Sequence, residues 1–229
     1  MALTIRPATE ADIDRLMEIY FSAFRSNGIT PRVFPESSPQ THAFWRGYFT
    51  KHIENDRDDV RVVEMTNDSD GTKTVIALAV WRPPQPATEP FPATPPPSVW
   101  PSDGDVEAGV EFFGDLDRQH IRFMGPAEGA PAGTQQRPHW YLKLIGTHQD
   151  FRGKGAAGAL LRYGEHQADA QGLQCYLDAT PEGRPVYTSA GHGFREVDVR
   201  WYLGGTYEHV FMIRDPRPSS CVALGDKGQ

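Results

Sequence analysis

The sequence predicts a mixed α/β fold, and three observations carry the prediction. Short runs of period-two hydrophobicity are interleaved with longer runs of helical period. Two pairs of strand-like runs are joined by turn-forming residues. Late in the chain a strand, a glycine-rich loop, a helix and a second strand follow one another directly. At 229 residues and 38% hydrophobic content the chain can bury one sizeable core, so a single domain over residues 1–214 is expected, followed by a loose tail at 215–229.

Leu3 to Arg6 reads as the first strand. Thr9-Glu10-Ala11-Asp12 resembles a capping box, and Ile13, Leu16, Met17, Tyr20 and Phe24 then recur at helical spacing. A second helix is expected over Gln40 to Glu54, with Phe44, Trp45, Tyr48, Phe49 and His52 along one side. Val60 to Met65 and Thr74 to Trp81 read as strands, joined at Asn67-Asp68-Ser69-Asp70-Gly71 by a hairpin loop. The prolines between Pro83 and Pro101 exclude a helix or a central strand, so this stretch is expected to run over the surface as extended chain. Val106, Val110, Phe113, Leu116 and Ile121 predict a helix from about Asp105 to Met124, and Gly125 to Pro138 is another loop. Residues 83–138 are therefore expected to form a proline-rich surface insertion, serving as a lid or an acceptor site rather than as a domain linker.

Trp140 to Thr147 reads as a strand, Gly155 to Gln171 as a helix and Gln174 to Asp178 as a strand. A short helix around Pro185 to Ala190 is stopped by Gly191 and Gly193. A hairpin then follows from Val197 to Leu203 and Tyr207 to Ile213, turning at Gly204-Gly205.

The formal charge of −7 and the lack of a Lys/Arg run exclude nucleic acid as a partner. No stretch approaches the ~20 apolar residues of a membrane span, and Leu3-Thr4-Ile5-Arg6-Pro7 lacks the apolar run of a signal peptide, so a cytoplasmic location is expected. Cys175, in an apolar strand, is expected to be inert, and with Cys221 in the polar tail it makes no disulfide framework. The histidines form no His-x-x-x-His pair, so no metal site is predicted.

Between the late strand and its helix stand His148-Gln149-Asp150-Phe151-Arg152-Gly153-Lys154-Gly155-Ala156-Ala157-Gly158. Glycine and alanine leave the first helical turn nearly bare, so an anion can approach its free N–H groups, and Arg152 and Lys154 add positive charge there. Tight helix-to-sheet packing would also favour small residues but does not ask for two cations. Leu160, Leu161, Gly164 and Ala168 supply the packing face. Which phosphate binds is open at this point. Gly153-Lys154-Gly155-Ala156-Ala157-Gly158 also matches the dinucleotide fingerprint, with Asp178 where a ribose-binding acid would sit. Against an NAD(P)-dependent oxidoreductase stands the polar spacer His148 to Arg152, since the fingerprint's first glycine follows its strand almost at once.

Arg152-x-x-Gly155-x-Ala157 matches the pattern Gln/Arg-x-x-Gly-x-Gly/Ala, preceded by the apolar strand Leu142-Lys143-Leu144-Ile145-Gly146-Thr147. Downstream, Tyr176-Leu177-Asp178-Ala179-Thr180-Pro181-Glu182-Gly183, Tyr187 and Gly193-Phe194 complete a second motif. In both, the chain resembles the GCN5-related N-acetyltransferase (GNAT) superfamily. The resemblance is close from Trp140 to Val197; the N-terminal half agrees in its order of elements, and the proline-rich insertion departs from compact members.

The resemblance implies a GNAT-like sheet, mixed but mostly antiparallel, flanked by helices, with one parallel pair where the cofactor enters. It implies direct transfer of an acetyl group from acetyl-CoA to an amine, with no metal. The backbone of Leu144, Ile145, Gly146 and Thr147 would pair with the pantetheine arm, and Arg152, Gly153, Lys154, Gly155, Ala156, Ala157 and Gly158 would hold the pyrophosphate. The Ile145 N–H would polarise the thioester carbonyl, and Tyr187 would be the general acid. A small-molecule amine is the expected acceptor, a homodimer is left open, and a non-catalytic acyl-CoA-binding module is the remaining alternative. For the general base the sequence offers Glu64, Glu111, Asp115, Asp117, His120 and His139 without choosing among them. Of these His139 is expected to be structural, and Asp178 is expected to be hydrogen-bonded at a strand end.

Overall fold

The computed structural model describes residues 2–55, 57–93 and 95–218. Seven strands form one sheet in the order β1-β2-β3-β4-β5-β7-β6. They are β1 (Ala2–Pro7), β2 (Asp59–Thr66), β3 (Lys73–Arg82), β4 (Trp140–Thr147), β5 (Cys175–Ala179), β6 (Arg195–Tyr202) and β7 (Tyr207–Arg214). Every neighbouring pair is antiparallel except β4 with β5. The helices are α1 (Ile13–Phe24), α2 (Thr30–Val33), α3 (Pro39–Glu54), α4 (Val106–Met124), α5 (Ala156–Gln171) and α6 (Arg184–Tyr187). The short α2 has no counterpart in the sequence reading, and α6 is shorter than expected.

Local chemistry sets the element ends. The Asp12 carboxylate accepts the Thr9 N–H at 2.8 Å and a bidentate pair from Arg6, which ties the end of β1 to the start of α1. Ser38 Oγ accepts the Thr41 N–H at the start of α3, and Asp105 accepts that of Ala108 at the start of α4. Gly172, at φ +66°, ends α5, with the Leu173 N–H donating back to the Ala168 carbonyl.

The two faces of the sheet carry separate cores. One contains α1, α3 and α4, with Leu16, Phe34, Phe49, Leu78, Tyr176 and Phe211 buried. The other is covered by α5 and α6, with Trp81, Leu142, Leu160, Leu161 and Tyr187 buried. The insertion is not confined to the surface. Trp100, Phe112, Leu116 and Met124 are buried in the first core, and the Phe112 ring lies 4.9 Å from Tyr202 and 5.1 Å from His209. The expected extended surface path is broken even within the proline segment, where Pro97–Val99 makes a 3₁₀ turn that sends Trp100 inward; the amphipathic α4 beyond it buries its apolar stripe against the sheet. Most of the tail, from 219 onward and including Cys221, lies outside the described residues.

Candidate active site

β4 and β5 share only three pairs, Trp140 with Cys175, Tyr141 with Tyr176 and Leu142 with Leu177. Beyond Leu142 the strands part, and β4 continues alone against β3 to Thr147. The parting coincides with a bulge. Val80 opposes Leu144 and Trp81 opposes Leu142, so Lys143 has no partner on β3 and the strand bends there.

Lys143 is pinned by buried charge. Its Nζ lies 3.4 Å from Asp58 Oδ1 and 3.3 Å from His52 Nε2, and Asp58 also accepts from His52 Nδ1 at 2.6 Å and from Arg82 Nε at 3.1 Å. Burial, reinforced by Arg82, pushes the Lys143 ammonium down to about 8. Burial alone would raise the Asp58 carboxyl, but His52, Lys143 and Arg82 hold it well below the usual carboxylate range.

The register also orients the β4 backbone. The His148 N–H donates to the Ile76 carbonyl at 3.0 Å. Antiparallel pairs alternate, so Gly146 and Leu144 bond to β3 while the N–H and C=O of Ile145 and Thr147 point away from it, into the fork. Thr147 Oγ1 is buried and has no hydrogen-bond partner among the described residues.

A 3₁₀ turn at Gln149–Phe151 leads from β4 to the glycine loop, and the Gln149 N–H anchors it to Ser22 Oγ at 3.0 Å. Gly153 and Gly155 adopt φ +76° and +83°, and a β-carbon on either would meet nothing within 4 Å. Backbone conformation, not packing, therefore requires glycine at both positions. Gly164 is the opposite case, because its face abuts the Trp81 indole. Ala159 is the first residue of the helix whose N–H reaches back, to Gly155; the amides of 153–158 have no acceptor among the described residues. Lys154 is exposed beside them, whereas Arg152 donates to the Ala23 carbonyl at 2.8 Å and braces the loop against α1. The carbonyls at the end of α1 thus take one of the Arg152 guanidinium nitrogens.

Tyr187 lies on the α5 side of the sheet, 7% exposed, with its hydroxyl unpartnered among the described residues. Burial pushes its phenol up, and the nearby Asp178 charge pushes it further. On the opposite face, Asp178 accepts from the Tyr141 hydroxyl at 3.2 Å and lies 3.0 Å from His209 Nε2, so it is hydrogen-bonded at the strand end as expected.

The structure sorts the candidate bases. Glu64 is paired with Arg6 and Lys73 near the sheet edge, and Glu111 is exposed on α4. Asp115 accepts from the Tyr202 hydroxyl at 2.8 Å and from Arg118. Asp117 is near enough to raise the phenols of Tyr141 and Tyr176. His120 and His139 pair with each other, Nε2 to Nε2 at 2.7 Å, while His139 Nδ1 donates to the Arg137 carbonyl. Burial pushes both down, His139 to about 4, so the pair is neutral near pH 7 and serves as a packed strut against Tyr176. Burial pushes the Cys175 thiol up to about 12, which makes it inert. Sequence reasoning missed Lys143, Asn27, Tyr207 and His209. The last of these was visible only as a histidine ahead of the apolar run Val210 to Ile213.

A mostly antiparallel sheet that forks at its one parallel pair, with an unpartnered amide loop and a helix N-terminus at the fork, is the architecture of an acyl-CoA-dependent transferase. Residues 15–194 match the Acetyltransferase (GNAT) family, and the chain belongs to it. Solved structures agree in fold. One is described as histone acetyltransferase HPA2 and related acetyltransferase, from Corynebacterium glutamicum; it is 23% identical, with a TM-score of 0.57, over 96% of this chain and 99% of that one. Another is NAA60 of Arabidopsis thaliana in complex with acetyl-CoA, 14% identical, with a TM-score of 0.53, over 93% and 98%. A third is an N-acetyltransferase from Staphylococcus aureus Mu50, 14% identical, with a TM-score of 0.51, over 94% and 99%. The protein is thus an acyltransferase, and its glycine run belongs to this fold rather than to a doubly wound dinucleotide sheet.

Proposed function

We propose that the protein transfers the acetyl group of acetyl-CoA directly to the amine of a small molecule. The observation that carries this is the continuous track of unpartnered polar groups along the fork: the Ile145 and Thr147 backbone, Thr147 Oγ1, and the amides of 153–158. An extended amide-bearing arm ending in a pyrophosphate matches that track group for group. Acetyl-CoA supplies the thioester, which is activated toward amines. The loop amides, Lys154 and the α5 dipole hold the pyrophosphate. The Ile145 N–H donates to the thioester oxygen as charge develops on it, a contact typically worth about 3 kcal/mol. Tyr187, kept protonated by its burial, delivers a proton to the leaving sulfur. The small acceptor is favoured by the chain's acidic balance, a formal charge of −7 without a long acidic tail, and α4 packs on the sheet face opposite Tyr187.

The test compares thermal and calorimetric responses to acetyl-CoA, CoA, NAD and NADP at matched concentration. A ligand that binds only the native state at about a hundred times its Kd stabilises by roughly 2.7 kcal/mol. Stabilisation by acetyl-CoA and not by the dinucleotides is expected; the reverse pattern removes the reading.

A further inference from the structure

On the face opposite Tyr187 the apex of the fork carries a chain of buried polar groups that the transfer described so far leaves without a task. Asp178 is the first residue of β5 beyond its last pair with β4. Its Oδ2 accepts from Tyr141, and its Oδ1 lies 3.0 Å from His209 Nε2. His209 Nδ1 lies 3.4 Å from the Tyr207 hydroxyl, which accepts the Asn27 side-chain amide at 2.8 Å. The proton directions follow from the donor inventory. The Asn27 nitrogen can only donate, so the Tyr207 O–H turns to His209 Nδ1, and His209 is left to donate Nε2–H to Asp178.

The chain therefore ends on a carboxylate, and that end is its more open one: the Asp178 side chain is 14% exposed against 4% for His209. A carboxylate has room for about four hydrogen bonds, of which two are used here. Next to it in β5 stands Tyr176, 0% exposed, whose hydroxyl has no partner among the described residues. Asp178 also acts on Tyr187 across the sheet and on Tyr202 of β6. From α4, Asp115 and Asp117 add negative charge around Tyr176. This surrounding favours a cation at the fork.

We propose that Asp178 is the catalytic base, taking a proton from a cationic primary ammonium that enters the fork from the α4 side, with His209 and Tyr207 as positioning residues behind it. This rests on the acetyltransferase reading. The ammonium gives one proton to Asp178, which passes it to solvent. The freed nitrogen pair forms the C–N bond, and the C–S bond breaks with its electron pair going to sulfur. The second proton lost by nitrogen replaces the one that Tyr187 gives to the thiolate. The base and the acid thus stand on opposite faces of one sheet, with the reacting carbon between them.

Wild type, Asp178→Asn and Tyr207→Phe are assayed by thiol release with acetyl-CoA and two probe acceptors. Benzylamine is protonated near pH 7, and hydroxylamine is not. Asp178→Asn is expected to lose about 10²-fold or more in kcat/KM with benzylamine but under about tenfold with hydroxylamine, which needs no first deprotonation. In Asp178→Asn the benzylamine rate is expected to climb with pH toward the amine's own pKa, because only the neutral amine then reacts, whereas Tyr207→Phe keeps the wild-type profile shape with a few-fold lower plateau. Equal losses with both amines would make Asp178 structural and overturn the proposal, as would an unchanged benzylamine profile. Stabilisation by acetyl-CoA is measured on the same samples. Its absence in the wild type overturns the acetyltransferase reading itself, whereas normal stabilisation with equal losses, or with an unchanged profile, overturns only the base.

Discussion

Gly164→Ala sets two physical effects against each other in the helix that follows the glycine loop. Alanine in a helix interior is favoured over glycine by about 1 kcal/mol, so propensity alone predicts a more stable protein. The tertiary contact predicts the opposite. A β-carbon at Gly164 would stand 2.7 Å from Trp81 Cδ2, and closer still to Cε2 and Cζ2. Comfortable carbon contacts need about 3.5–4.0 Å, so α5 or the indole must move by roughly 1 Å. Neither is free to do so: Trp81 is 0% exposed, and its Nε1 donates to the Leu160 carbonyl at 3.2 Å, one turn earlier in the same helix. Overpacking of this kind costs about 1–3 kcal/mol, and losing that hydrogen bond adds about 1 kcal/mol. The balance is a net destabilisation of roughly 1–3 kcal/mol after the propensity gain. Urea denaturation gives the stability, and calorimetry with CoA shows whether the displaced helix also weakens the loop. A variant as stable as wild type, or more so, would refute the argument that β3 and α5 are locked at this contact.

Two further substitutions probe the site itself. Gly155→Val places a β-branched residue at φ +83° with open space around it, so the fold should lose only about 1–2 kcal/mol while CoA affinity falls tenfold or more; CoA binding as tight as wild type in calorimetry would sink the loop assignment. Tyr187→Phe keeps the packing on Phe194 and removes the proton donor, so turnover should fall by about 10²-fold with acetyl-CoA binding retained, and unchanged turnover at every pH would remove the general acid.

Much of the fold was legible because its signals are local. β4 begins and ends at the residues the alternation predicts, and α5 differs from its prediction by one residue at its start. The turn pair Gly204-Gly205 was readable for the same reason: a positive φ is a property of one residue's backbone, and only glycine adopts it at little cost. The family motifs sit in that same stretch, where strand, loop and helix are contiguous. The opposite holds for the proline-rich segment. Its composition announced an extended path, but whether the helix beyond it packs on the sheet depends on rings as distant as Tyr202 and His209.

The sequence by itself determined the seven strands, the longer helices and the transferase family, since periodicity and capping are written within a few residues of one another. Only the tertiary structure decided where the sheet forks, that Arg152 braces α1, and that Asn27, Tyr207, His209 and Asp178 form one chain. Apart from Tyr207 and His209, two positions apart on β7, those facts depend on strand register and on contacts between residues separated by 31 to 180 positions, as in His209–Asp178 and Asn27–Tyr207. No local pattern encodes them, because hydrogen-bond partners so far apart are chosen by how the whole sheet pairs and packs.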